Sequence, residues 1–211
     1  MGPLFSVIIP AHNEEKYIGK CLGSIKKAAN ECRSSVETVV VANRCTDRTA
    51  EIAERCGAIV INNQDKCISS IRNAGVKASR GRIIVTIDAD SVMGRSALTE
   101  IKELLGSGKY IGGGALSGTM FWCRRRDFDR IGGFDESLVS LEDMDFARRL
   151  KALGKTCGKK YGTLRRSWVI TSSRKFDEFG DWYLIKNRKL TKAIFTGKDR
   201  EAADKFYYDV R

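Results

Sequence analysis

The chain of 211 residues has a single histidine, His12, and two prolines, Pro3 and Pro10. Its seven cysteines contain no C-x-x-C pair. With one imidazole and no paired thiols, neither a Cys/His zinc site nor a disulfide framework is expected. The thiols read as reduced, in a cytoplasmic protein. A separation of 11 residues between Cys21 and Cys32, repeated across Cys45, Cys56 and Cys67, matches no framework. The longest mainly apolar stretches, such as residues 36–42 and 83–87, fall far short of the ~18 to 20 residues that span a bilayer. No signal-peptide pattern marks the first residues, and no repeat or low-complexity segment stands out. There is no G-x-G-x-x-G after the first apolar run and no G-x-x-x-x-G-K-[ST], which disfavours an ordinary dinucleotide fold and a P-loop.

What is present is enough apolar residue, 42%, for one domain with a sizeable core. The net charge of +12 is unevenly placed: residues 148–211 hold 18 Lys and Arg against 7 Asp and Glu. Such a region can face nucleic acid, anionic lipid or a phosphorylated substrate, or be a solvated face with no partner. No helix-turn-helix, zinc or aromatic RNA-binding pattern accompanies it, so nucleic acid is not an expected partner.

Along the chain, "FSVIIP" reads as a buried strand stopped by Pro10, followed by a helix from Glu14 to about Ala29. "VETVVVA" is a second strand, with Thr46 or Asp47 capping the helix through "RTAEIAERC". "AIVIN", "CISSIRNAGVKA" and "RIIVTID" follow as strand, helix and strand. Four alternations with little polar residue inside the strands predict a mostly parallel, doubly wound α/β sheet with helices on both faces. In such sheets ligands bind beyond the carboxyl ends of the strands. That edge collects "PAHNE", "NRCTD" and "DAD".

Further on, "LEDMDFARRLKALG" has apolar residues at Leu141, Met144, Phe146, Ala147, Leu150 and Leu153, the spacing of an amphipathic helix stopped by Gly154. "WVITSS" reads as a strand, and residues 176–195 as a basic, aromatic helix. The latter suits a membrane interface or packing on the domain. "WCRRRDF" offers a phosphate or sugar-face contact, or simply a strand end with a basic turn.

Asp88 and Asp90, one residue apart at a strand end, are expected to point the same way and to share a divalent cation and a ligand. Hard cations prefer few carboxylates plus phosphate oxygens. Glu142 and Asp143 supply a candidate general base, or merely complement a helix dipole.

In this order the motifs resemble the family 2 glycosyltransferases, inverting nucleotide-sugar enzymes with the GT-A fold. The resemblance covers about residues 5 to 155: "VIIPAHNEEKYIGKCLGSI", "VVVANRCTDRTAEIA", "IRNAGVKASRG", "IDAD", "RRDFDRIGGFDE" and "LEDMDFARRLKALG". It implies a nucleotide pocket lined by Pro10, Asn13 and Glu14, with Asn43 and Asp47 nearby. It implies Arg72 at the base or diphosphate, Asp88 at the ribose or sugar and also beside the metal, and Asp90 on Mn²⁺ or Mg²⁺. Asp143 would be the base, Glu142 would bind acceptor or sugar, and Gly133, Phe134 and Asp135 would shape the donor-sugar and acceptor region. The expected partners are a nucleoside-diphosphate sugar and a glycan or lipid-linked acceptor, with peripheral contact at the inner face of the membrane. The expected division is a transferase domain over 1–155, with a nucleotide-sugar half 1–92 and an acceptor half 93–155, and a basic helical extension over 156–211 that packs on the domain or on a membrane surface.

Three departures qualify the match. Ala42 and Asn43 stand where the family often has acids, which leaves GDP or dTDP sugars open beside UDP sugars. A histidine used by many relatives as a further metal contact is missing, so a metal would lean on Asp90, diphosphate and water. The interval from Asp90 to Gly133 is short, which points to a trimmed acceptor loop or absent residues between Ala115 and Ser117. A nucleotidyltransferase, whose Gly-rich basic loop is lacking, and an inactive family member are the alternatives.

Overall fold

In the computed structural model, residues 2–114 and 119–172 are described. The expected helix over 176–195 and the join between Ala115 and Ser117 lie outside them. The first half alternates β1 (Phe5–Ala11), α1 (Ile18–Cys32), β2 (Val36–Asn43), α2 (Thr49–Arg55), β3 (Ile59–Asn63), α3 (Ile68–Lys77) and β4 (Ile83–Ile87). The second half adds β5 (Ser91–Met93), α4 (Ala97–Gly106), β6 (Tyr110–Gly114), β7 (Met120–Arg124), α5 (Arg125–Arg130), α6 (Glu142–Thr156), β8 (Lys160–Gly162) and β9 (Val169–Thr171).

Seven strands form one sheet in the order β3-β2-β1-β4-β7-β6-β8. The β3-β2-β1-β4 part is parallel. β7 runs antiparallel to both β4 and β6, and β8 returns parallel to β6. β5 and β9 make a separate antiparallel ribbon. Because β8 and β9 belong to these sheets, the packed unit runs through Thr171.

One layer of core, around Phe5, Val7, Ile9, Ile25, Val85, Ile101 and Trp122, lies under α1 and α4. The other, around Ile8, Val41, Ile71, Phe121, Phe134, Phe146 and Leu150, lies under α3 and α6. Strand alternation delivers Val7 and Ile9 to one face and Ile8 to the other, so both faces of β1 are apolar.

Several local expectations shift. Pro10 does not stop β1; it lies inside the strand, paired with Val41, where the β4 pairing has already ended at Ile8 and Thr86. A residue without an N–H is tolerated because only one side of the strand is bonded there. The first helix begins at Ile18 rather than Glu14, because residues 12–17 form the ligand-edge turn. Gly154 does not stop α6; the helix runs on to Thr156 and turns at Gly158, with φ +64°. Gly154 is instead a packing glycine, since a Cβ there would lie 2.9 Å from Ile111 Cγ2 and from the Lys159 carbonyl. Met144 is 60% exposed and off the core stripe. The glycine run of β6 makes room for Trp122: a Cβ on Gly112 would meet Cys123 and Leu150 at 2.8 Å, and one on Gly113 would collide with the Trp122 ring.

Candidate active site

The turns after β1, β2 and β4 and the start of α6 converge at the carboxyl edge of the parallel strands. Three of the non-glycine residues with left-handed backbone lie in these turns: Asn13 (φ 53°), Arg44 (φ 47°) and Leu141 (φ 61°). Such conformations cost energy and cluster where a site fixes the chain.

The first two turns are tied to each other. His12 Nδ1 lies 2.7 Å from the Asn43 carbonyl. Asn13 Oδ1 accepts the Thr46 amide at 2.9 Å, and the buried Glu14 donates its amide to Thr49 Oγ1 at 2.7 Å. Asp47 accepts the Thr49 amide and hydroxyl and, through its other oxygen, the Glu15 amide. Burial opposes ionisation of Asp47, but these hydrogen bonds outweigh it and hold the carboxyl below the usual carboxylate range. The residue at the N-cap position of α2 is Arg48 rather than Thr46 or Asp47, and Asp47 satisfies the Thr49 amide from one position earlier. Asn43, fully buried, donates to the Asn63 carbonyl and side chain and to the Asp65 carbonyl. Its amide is thereby spent on tying the end of β2 to the end of β3 and the loop that follows it. Pro10 is internal to the sheet, one residue before the turn.

Asp88 and Asp90 lie in the turn joining β4 to β5, so the alternation expected of a strand does not govern them. Arg72, on α3 and 5% exposed, reaches two acids that are distant in sequence. Its Nη1 donates to Glu142 Oε1 at 2.7 Å and its Nη2 to Asp88 Oδ1 at 3.3 Å. The guanidinium carbon lies 5.2 Å from the centroid of the Phe134 ring, which forms its floor. Burial alone would lower the pKa of Arg72, but Glu142 and Asp88 raise it, so the cation persists. Beneath the same edge, burial with Asp88, Asp90 and Glu14 nearby pushes the Cys21 thiol up to about 12. That buried thiol stays protonated.

Asp90 accepts the Thr171 hydroxyl at 3.3 Å, which ties the β4-β5 turn to β9. No cluster of three or more His, Cys, Asp or Glu able to hold a metal exists among the described residues. The donor set nevertheless fits a hard cation that takes one or two carboxylates and completes its shell with phosphate oxygens and water.

Gly133, Phe134 and Asp135 form a rigid shelf. Asn73 grips it in both directions, accepting the Phe134 amide at 3.0 Å and donating to the Phe134 carbonyl at 2.9 Å. A Cβ on Gly133 (φ +71°) would lie 2.8 Å from Asn73 Oδ1. Phe134 is stacked on Phe146, 4.3 Å between centroids, so it supports Arg72 from the core. Asp135 is held below the usual carboxylate range by the hydroxyl and amide of Ser137. Arg149 of α6 donates to the carbonyls of Ile131 and Gly133 and pairs with Asp145 at 2.6 Å, which clamps the shelf to the helix.

Asp143, in the first turn of α6, follows Glu142, which is held by Arg72. Tyr161 of β8 lies close enough that Asp143, after burial and Cys123, adds to the upward shift of its phenol. Asn73, Thr171, Arg149 and Tyr161 are the site-supporting residues that the sequence left unmarked. Asn73 and Arg149 lay inside quoted motifs, "IRNAG" and "LEDMDFARRLKALG", but nothing in either singled them out. Two of the "WCRRRDF" arginines are not at this edge: Arg124, at the end of β7, and Arg125, at the start of α5, lie beside the first residue of β4 and donate to the carbonyls of Tyr110, Leu105, Gly81 and Val76. They are backbone clamps at the opposite end of the sheet.

The parallel α/β sheet carries its acid-bearing turns at the carboxyl edge, where open sheets of this kind bind ligands, and is continued by an antiparallel strand and an acid-led helix. The Glycosyl transferase family 2 model matches residues 6–140. The chain belongs to glycosyltransferase family 2. It is 34% identical over 108 residues to the uncharacterized glycosyltransferase EpsJ of Bacillus subtilis (strain 168), covering 49% of this chain and 30% of that protein. It spans between about a quarter and a third of the length of the curated relatives it matches. The fold is that of the mannosyltransferase PcManGT from Pyrobaculum calidifontis in complex with GDP-Man and Mn²⁺, with TM-score 0.67 and 19% identity over 79% of this chain and 56% of that one. It is also that of S. aureus TarS 1-349 in complex with UDP-GlcNAc, with TM-score 0.60 and 20% identity over 98% of this chain and 71% of that one. The architecture is the GT-A fold.

Proposed function

We propose that the chain transfers a sugar from a nucleoside-diphosphate sugar to an acceptor hydroxyl by a single displacement with inversion. The observation that carries this reading is the Arg72 bridge, which brings Asp88 of the β4-β5 turn and Glu142 of the α6 start to one point. Two motifs 54 positions apart in sequence, read here as donor-side and acceptor-side, thus meet on one guanidinium.

In this reading Asn13, Glu14, Asn43 and Asp47 frame the nucleotide, and Asp88 accepts hydrogen bonds from its ribose or sugar. Asp90, aided by diphosphate oxygens and water, would hold Mn²⁺ or Mg²⁺. That ion supplies neutralisation of the negative charge developing on the departing diphosphate. Asp143 takes the proton from the acceptor hydroxyl as its oxygen attacks the anomeric carbon and the diphosphate leaves from the opposite face. The electron pair of the anomeric C–O bond departs with the diphosphate, and no covalent glycosyl-enzyme forms. Glu142, anchored by Arg72, and the shelf at Gly133 to Asp135 border the acceptor. The ligands GDP-Man and UDP-GlcNAc of the two solved structures support this donor class, and the Mn²⁺ bound in the first supports a divalent cation. A glycan or lipid-linked acceptor and a peripheral membrane contact belong to the same proposal. Among the described residues no helix is long and apolar enough to cross a membrane.

The test is calorimetry with UDP, GDP, dTDP and CDP, each with and without Mn²⁺. One nucleoside diphosphate should bind tightly only with the metal, and Asp90→Ala should erase that difference while the chain stays folded, with only a small drop in unfolding midpoint from the lost Thr171 contact. Equal, metal-independent binding of all four, or none, would refute the reading.

A further inference from the structure

We infer that Arg72 is a positioning residue that couples nucleotide binding to the acceptor-side helix, by holding Asp88 and Glu142 on one guanidinium. The inference rests on the transferase reading but assigns Arg72 a different task from a direct nucleotide contact. Its side chain is 6% exposed, and two of its nitrogens are already engaged by carboxylates. Its Nε, also buried, has no hydrogen-bond partner among the described residues. An Arg in that setting is a fixed internal cation on the Phe134 ring rather than a surface arm reaching for phosphate.

The two contacts are unequal. Glu142 at 2.7 Å is the anchor, and Asp88 at 3.3 Å is the looser one. Asp88 is also the more open of the two acids, 30% exposed against 12%. A nucleotide hydroxyl that engages Asp88 therefore competes with, or is oriented by, a guanidinium whose position Glu142 sets. Without that anchor the cation shifts toward Asp88 and withdraws that carboxylate from the ligand. Glu142, on the acceptor side, thus controls affinity on the donor side. By reciprocity a bound donor alters the first turn of α6, where Asp143 stands.

The experiment is a double-mutant cycle on the full chain, with the tightest-binding nucleoside diphosphate and Mn²⁺ as the probe. Glu142→Gln should weaken nucleotide binding about tenfold in the parent chain and leave it unchanged in an Arg72→Met background, where the apolar stem still covers Phe134. Arg72→Lys, which retains the charge, should restore part of the coupling. An unchanged affinity in Glu142→Gln, or the same loss with and without Arg72, would overturn the inference. A second cycle needs no ligand: the denaturation midpoints of Asp88→Asn, Glu142→Gln and the double variant should be non-additive with Arg72 present and additive with Met there. If no nucleotide binds the parent chain, the transferase reading fails, while this stability cycle still decides whether Arg72 joins the two acids; additive effects would sink it.

Discussion

Asp143 and Asp90 differ from their neighbours Glu142 and Asp88 in what surrounds them. Arg72 takes up Glu142 and Asp88, whereas Asp143 has a contact with the adjacent Met144 amide at 2.7 Å and Asp90 with the Thr171 hydroxyl at 3.3 Å. Two acid pairs therefore divide into an inner, arginine-bound member and an outer member. The outer members are the ones assigned to proton transfer and metal. Asp143→Asn should keep nucleoside diphosphate affinity within about twofold and cut transfer by roughly 10²- to 10⁴-fold, the usual worth of a general base. Calorimetry together with product chromatography would measure both, and full retention of transfer would remove Asp143 from its role.

Helix α3 shows how closely an element must pack to place one guanidinium. Gly75 faces β1 and β2 so tightly that an added Cβ would collide with Ile8 and lie 2.9 Å from Val41 Cγ2. Ala is the better helix former by about 1 kcal/mol, but over-packing costs about 1 to 3 kcal/mol. Gly75→Ala should therefore lower stability by up to about 2 kcal/mol in urea unfolding, and it should weaken nucleotide binding as α3 and Arg72 move outward. A stabilised variant would mean that the sheet yields.

The other end of α3 is secured by Glu37 on β2, which accepts the Ser6 hydroxyl at 2.6 Å and the Gly81 amide at 2.9 Å, as well as the Arg80 amide. Partial burial opposes its ionisation, yet these bonds hold its pKa below the ordinary value. A folded-state pKa below the unfolded one contributes stability that is present above about pH 4.3 and is lost as pH falls through the folded value. Glu37→Gln should lower the melting temperature at pH 7 and flatten the acid limb below about pH 4.3. An unchanged acid limb would show that another carboxylate dominates it.

For the whole molecule, the position of the charge matters more than its sum. Residues 148–172 hold eight Lys and Arg and no acid, whereas residues 173–211 hold ten Lys and Arg against seven Asp and Glu. The basic excess thus sits mainly on the later turns of α6, on β8 and on the β8-β9 loop. Some of it is committed: Arg148 and Arg149 pair with Asp145, Arg166 pairs with Glu103, and buried Glu100 accepts the amides of Arg165 and Arg166. Lys151, Lys155 and Lys160 are exposed. In sedimentation with vesicles of anionic lipid, the chain should bind at low ionic strength and dissociate as salt rises past about 0.15 M, where the screening length is about 8 Å. Lys151→Glu with Lys155→Glu and Lys160→Glu should abolish that binding; vesicle binding unaltered by these changes would place the contact elsewhere.

The sequence by itself determined the alternating half of the fold and the list of acids. Periodicity is a local property, and strands of 5 to 8 residues alternating with helices point to a parallel sheet with its ligand edge at the strand ends, while the strand order came from the tertiary structure. The order of motifs likewise pointed to family 2. Only the tertiary structure decided which acids share a cation, because the Asp88-Arg72-Glu142 bridge joins residues 16 and 70 positions apart. It also decided that Gly154 packs rather than stops a helix, that Pro10 can sit within a strand, and that the Arg124 and Arg125 side chains bind main-chain carbonyls away from the site. Each of these depends on what approaches from a distant part of the chain, and no local pattern of spacing encodes that approach.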